Sequence, residues 1–138
     1  MAKLLVIDDE PGIRDLLDTL LGRKGYDVIL ADSGQKGLEV FRRARPDVVV
    51  LDLKMPGMDG LTVLQQIRHL TPTQPVIILT GAGTPESEQQ VRALGVTEYV
   101  EKQFSLHLLG DALKRALAPS HSATLASASA KAVTIKGT

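Results

Sequence analysis

The 138-residue chain has no cysteine and no tryptophan, and its aromatic side chains are only two phenylalanines and two tyrosines. Without cysteine there is neither a disulfide framework nor a thiolate metal site, and the redox compartment stays open. Neither sign of charge is in excess, since Lys+Arg and Asp+Glu each number 16. Nonspecific nucleic-acid binding rests on a basic face, so no direct nucleic-acid contact is expected. No apolar run approaches the roughly 18 residues of a membrane span. The N-terminus, MAKLLVIDDE, meets acids after four apolar residues, too soon for a secretory signal. The expectation is a soluble, cytoplasmic protein without a membrane partner, long enough for one domain with a real core.

What is present is an alternation. Five short apolar runs recur: LLVI (4–7), VILA (28–31), VVVL (48–51), VIIL (76–79) and the weaker EYV (98–100). They are rich in Val and Ile and do not alternate with polar residues, the pattern of strands buried on both faces. Helical periods fill the gaps. Ile13, Leu16, Leu17, Leu20 and Leu21 form one apolar stripe, with Gly25 as a stop. Leu38, Phe41 and Ala44 mark a second helix; Leu61, Leu64, Ile67 and Leu70 mark a third, N-capped by Asp59. A fourth, from Thr84 to Leu94, opens on a Thr-Pro start. It has only Val91, Ala93 and Leu94 as apolar anchors and is expected to sit loosely. Leu109, Ala112, Leu113, Ala116 and Leu117 form the fifth, capped by Ser105.

Strand and helix thus alternate five times, which predicts an α/β fold: a parallel sheet, helices on both faces, right-handed crossovers. Pro119 ends the last helix. Residues 119–138 are rich in Ala, Ser and Thr, carry no acid and no sustained period, and are expected to be a disordered tail or linker. Removing that tail removes two lysines and no acid, which leaves 14 basic and 16 acidic residues.

Ligands of open parallel sheets bind at the carboxyl ends of the strands. Here those ends carry Asp8-Asp9-Glu10, Asp52, Thr80-Gly81 and Glu101-Lys102. If the first and third strands are neighbours, Asp8, Asp9 and Asp52 converge. Like charges so close raise each other's pKa and destabilise the fold unless a cation lies among them. Hard carboxylate oxygens suit Mg²⁺, which takes few protein ligands. Three aspartates against Lys102 leave two negative charges, which one divalent cation balances. The blander reading, of caps and solvated loop acids, suits Asp59 and also Glu10. It weakens for the others because Asp52, Thr80 and Lys102 fall at the same end of different strands.

The stretches VIDDE, LDLKMPGMDG, ILTG and EYVEK stand in this order and at this spacing. On them, residues 3–118 resemble the receiver domain of bacterial two-component response regulators, and the Asp-x-x-Met-Pro-x-Met-Asp-Gly run is the specific part. The resemblance implies a flavodoxin-like sheet of order 2-1-3-4-5 with five helices, a receiver unit over 1–118, and a phosphorylation-dependent switch rather than a dedicated enzyme. It implies Asp52 as phosphoacceptor from a phosphohistidine on a sensor histidine kinase. Asp9 and Asp52 would ligate Mg²⁺ directly, with the backbone carbonyl of Lys54, and Asp8 would act mainly through water. Thr80 would hydrogen-bond the phosphoryl group, Lys102 would pair with it, and Tyr99 would be the aromatic switch. The kinase, the downstream partner or output domain, and any phosphorylation-linked dimer are left open.

Three positions depart from or modulate that pattern. Lys54 is placed to tune phosphoryl lifetime. Ala82 has no group to hold an attacking water. Gln103 stands where the family usually has proline, and a trans Lys102–Gln103 bond is expected because a non-proline cis bond costs about 2.5–4 kcal/mol. Competing classes fit less well. A haloacid-type phosphatase needs a second Asp where Lys54 stands, and a flavin binder needs a phosphate loop where Asp8-Asp9-Glu10 would repel phosphate. The remaining alternative is a pseudo-receiver, a docking module that works without phosphorylation.

Overall fold

In the computed structural model, residues 2–81, 83–102 and 106–118 are described. Five strands, β1 (Lys3–Ile7), β2 (Asp27–Ala31), β3 (Val48–Leu51), β4 (Val76–Thr80) and β5 (Glu98–Glu101), alternate with five helices. The helices are α1 (Pro11–Arg23), α2 (Gly34–Ala44), α3 (Gly60–Leu70), α4 (Pro85–Ala93) and α5 (Leu106–Leu117). All paired strands are parallel, and the sheet order is β2-β1-β3-β4-β5. This is the flavodoxin-like winding expected from the sequence.

Successive strand residues point to opposite faces, and the two cores follow from that. Leu5, Ile7, Val49 and Leu51 pack with Phe41, Leu64, Ile67 and Val91, so α2, α3 and α4 cover one face. Leu4, Val6, Val48 and Val50 pack with Leu17, Leu21, Leu109 and Leu113, so α1 and α5 cover the other. The edge strand β2 differs from expectation: its residues are mostly half-buried, because a strand with one neighbour has one flank open. Two stripe residues are also corrected. Leu16 and Leu70 are 42% and 43% exposed, so α1 is anchored by Leu17 and Leu21 and α3 by Val63, Leu64 and Ile67.

Local signals set the helix ends. The Asp59 carboxylate accepts from Thr62 N–H at 2.9 Å, as an N-cap does. Thr84 and Ser87 form a reciprocal capping box at the start of α4. Gly25, at φ 93°, follows α1 in the left-handed conformation that ends helices. Within α4 only Val91 is buried, in keeping with a loosely seated helix. Its far end is nonetheless held. Arg68 of α3 donates to the carbonyls of Leu94 (2.5 Å), Gly95 (2.9 Å) and Gln74 (2.8 Å). The Ser105 cap, Ala82, the Lys102–Gln103 bond and residues 119–138 lie outside the described residues.

Candidate functional site

β1 and β3 are paired with Ile7 opposite Leu51, so the next residue of each, Asp8 and Asp52, emerges side by side. The Asp52 N–H donates to the Ile7 carbonyl at 3.0 Å, and that of Asp8 to Ala31 at 3.1 Å. Backbone thus fixes both carboxylates at the sheet's carboxyl edge. Both are almost wholly buried, at 2% and 3% exposure. The chain then turns into α1, and the Asp8 carboxylate accepts from Glu10 N–H at 2.9 Å. Arg14 holds the Asp8 carbonyl at 2.8 Å. That local turn brings Glu10 back over the site. Carboxylate oxygens of Asp8, Glu10 and Asp52 lie within 4.8 Å of one another.

Lys102 follows β5, and its N–H donates to the Thr80 carbonyl at 3.0 Å. Its ammonium lies 3.0 Å from Asp8 and 3.3 Å from Asp52, and it also pairs with Glu10. Thr80 is fully buried at the end of β4. The Lys54 side chain is exposed, and its N–H donates to Asp52 at 3.3 Å. Asp9 is half-exposed and is not one of the three acids in that cluster. Glu10, which the sequence placed among solvated or capping acids, is. What could have revealed it is the following Pro11, which starts α1 at once and leaves Glu10 at its N-cap.

The electrostatics record the crowding. Burial, then the Asp8 charge, raises the Asp52 carboxyl to about 6. Burial likewise raises Asp8. Burial would lower Lys102, but its hydrogen bonds to Glu10 and Asp8 prevail and hold it above its ordinary value. Three acids against one lysine leave two negative charges in a partly dry pocket. Hard oxygen donors with that residual charge fit a divalent cation such as Mg²⁺.

Beyond the carboxylates, Tyr99 on β5 leans over the β4–α4 loop. A Cβ added to Gly83 would lie 1.8 Å from the Tyr99 hydroxyl and 3.2 Å from the Thr80 methyl. The Arg92 guanidinium stands 5.7 Å from the ring centroid, within cation–π range. Burial raises the Tyr99 pKa. Gly83→Ala is therefore expected to push the ring outward and bring the phenol titration down toward the ordinary value of about 10. Ultraviolet titration in a Tyr26→Phe background checks this, and an unmoved titration would contradict the contact.

A doubly wound sheet with paired acids, a threonine and a lysine at its carboxyl edge defines a class of phosphoacceptor signalling domains. The comparisons agree. The family model for the response regulator receiver domain matches residues 4–114, and the chain belongs to that family. It is 36% identical over 115 residues to sporulation initiation phosphotransferase F of Bacillus subtilis, covering 83% of this chain and 93% of that one. It is 38% identical to the transcriptional regulatory protein GlrR of Escherichia coli, but spans only 28% of its length. Among solved structures it resembles the response regulator TrrA of Thermotoga maritima in complex with Mg(2+)-BeF, with TM-score 0.78 and 37% identity. That match covers 85% of this chain and 100% of that chain.

Proposed function

We propose that the chain is a phosphorylation-dependent switch in which Asp52 accepts a phosphoryl group from the phosphohistidine of a sensor kinase. The observation that carries this reading is the convergence of buried Asp8 and Asp52 with the Lys102 ammonium at 3.0 and 3.3 Å. The Asp52 carboxylate attacks phosphorus in line; the P–N bond breaks as the aspartyl O–P bond forms, and the imidazole keeps the electron pair. Lys102 stays charged throughout and offsets the charge that arrives. Thr80 supplies a hydroxyl at the neighbouring strand end. Asp8, Asp9, Asp52 and the Lys54 carbonyl would hold Mg²⁺, with Glu10 close enough to contribute. The bound cation would spread charge on the transferring oxygens.

Adding the phosphoryl group changes the charge that Lys102 and Thr80 face, and Tyr99 with the loosely seated α4 is the element they would bias. The receiver unit would be residues 1–118, supported by the match over 4–114 and by α5 ending at Leu117. Residues 119–138 would be a tail or a linker to an output domain.

Incubation with acetyl phosphate and Mg²⁺ is expected to label the wild type with one phosphoryl group per chain and to leave Asp52→Asn unlabelled. Labelling of Asp52→Asn at wild-type level would move the nucleophile elsewhere. An unlabelled wild type would favour the pseudo-receiver. Gel filtration with and without a phosphoryl mimic would decide whether a dimer is linked to phosphorylation.

A further inference from the structure

The opposite pole of the domain, at the amino ends of the strands, holds a cavity of about 450 Å³ between the last turns of α2 and α3. That volume is in the range of small-molecule sites, roughly 300–1,000 Å³. Phe41 and Leu70 line it with apolar surface, and Arg42, Arg45 and Gln74 line it with polar groups. No acid lines it. Asp47, close by in sequence, is engaged with the Lys3 N–H at 2.7 Å.

Two features are not explained by folding alone. Gln74 is only 7% exposed; its Nε2 donates to the Pro75 carbonyl at 3.1 Å, while its Oε1 has no donor among the described residues. A buried amide left half-satisfied is costly and calls for a partner. Arg45 caps α2 in the left-handed conformation, at φ 49° and ψ 65°. Glycine is the unstrained residue there, and an L side chain is disfavoured by the clash of its Cβ with the following carbonyl. Neither Arg45 nor Arg42 has a carboxylate partner among the described residues. The rim is also held in place, since Arg68 donates to the Gln74 carbonyl at 2.8 Å.

We propose that this cavity binds an adenine nucleoside monophosphate, with the phosphate on Arg42 and Arg45, the base against Phe41 and Leu70, and its amino and ring-nitrogen edge on Gln74. The chemistry matches group by group. Guanidinium forks take phosphate oxygens in charge-assisted pairs. A glutamine amide pairs with the adenine edge, Oε1 accepting from the exocyclic amine and the second Nε2 proton donating to the ring nitrogen. That pairing uses the acceptor that is otherwise idle and leaves the bond to Pro75 intact.

The test is a titration of nitrogen-labelled protein with AMP in metal-free buffer, which keeps the ligand's phosphate away from the Asp52 site. Amide shifts are expected to cluster at residues 41–46 and 70–75 and to saturate in the millimolar range or below. Arg45→Gly is expected to raise the melting temperature by removing the strained conformation, yet to weaken AMP binding roughly tenfold by deleting a charge-assisted contact. Gln74→Leu is expected to lose the preference for AMP over inorganic phosphate. Four results would overturn the proposal: no shifts at millimolar AMP, shifts confined to the Asp52 pole, equal binding of inorganic phosphate by the wild type, or undiminished AMP affinity in a folded Arg45→Gly.

Discussion

Asp52→Asn is expected to be more stable than the wild type in metal-free buffer at pH 7, by on the order of 1–3 kcal/mol, and so to melt higher, even as it removes the proposed phosphoacceptor. The reason is the raised Asp52 carboxyl, moved from 3.8 to about 6 first by burial and then by the Asp8 charge. A folded-state pKa above the unfolded one means that the ionised side chain costs stability. Below about 4 both states hold the proton and the cost is absent. Between 3.8 and about 6 the unfolded chain releases its proton while the folded one keeps it, so stability falls as pH rises. Above 6 the full cost remains. Asp8, raised mainly by burial, adds a slope of the same sign. Lys102 is held above its ordinary value and does not titrate in this window.

The advantage of Asp52→Asn should therefore be nearly full above pH 6, shrink to a small remainder near pH 4 and vanish below the unfolded value of 3.8. Thermal melts of both proteins across that range, with chelator, measure it directly. A difference that is the same at both ends would mean that the substitution acts by packing and not by charge. Adding Mg²⁺ should raise the wild-type melting temperature more than the variant's, because the cation relieves the same repulsion and binds only the folded state.

Gly60→Ala is expected to be the most damaging single-methyl change, at about 3 kcal/mol or more. Gly60 is the first residue of α3, and its N–H donates to the Leu53 carbonyl at 2.9 Å. A Cβ there would lie 2.2 Å from the Asp52 carbonyl oxygen and 2.6 Å from the Leu53 Cα. These are backbone atoms at the tip of a buried strand, so no side-chain rotation relieves the overlap. Either α3 moves outward and opens the Val63, Leu64 and Ile67 packing, or the strand end carrying Asp52 shifts. A loss of roughly 10 °C in melting temperature should accompany slower labelling by acetyl phosphate. A variant within a degree or two of wild type would show that the α3 start yields easily. By contrast, Gly12, with nothing within 4 Å of its added Cβ, should accept alanine at little cost.

The alternation of strand and helix and the acids at the strands' carboxyl ends were legible from the chain, because each rests on local pattern, while the sheet order came with the resemblance of its motifs to the receiver family. A run such as VVVL states its burial by composition, and Asp59 and Thr84 state helix starts by their own hydrogen-bonding capacity. The pairing of Asp8 with Asp52 followed from the winding, since parallel neighbours in register end together. Tertiary structure decided the rest. Which acid joins Asp8 and Asp52 depends on the turn after β1, where the Asp8 carboxylate takes the Glu10 N–H and brings the Glu10 side chain back to Lys102. Asp9, its neighbour in sequence, is outside that cluster. Leu16 and Leu70 satisfy the helical period but are largely exposed: Leu16 lies in a stripe of five apolar positions wider than the sheet can cover, and Leu70 is the last residue of α3. Arg68 gave no motif, yet it joins α3, the Leu94–Gly95 turn and the Gln74 loop, which lie 26, 27 and 6 residues away. Periodicity reports the burial of a residue relative to its own element; contacts between elements are set by how those elements pack, and only the folded chain contains that information.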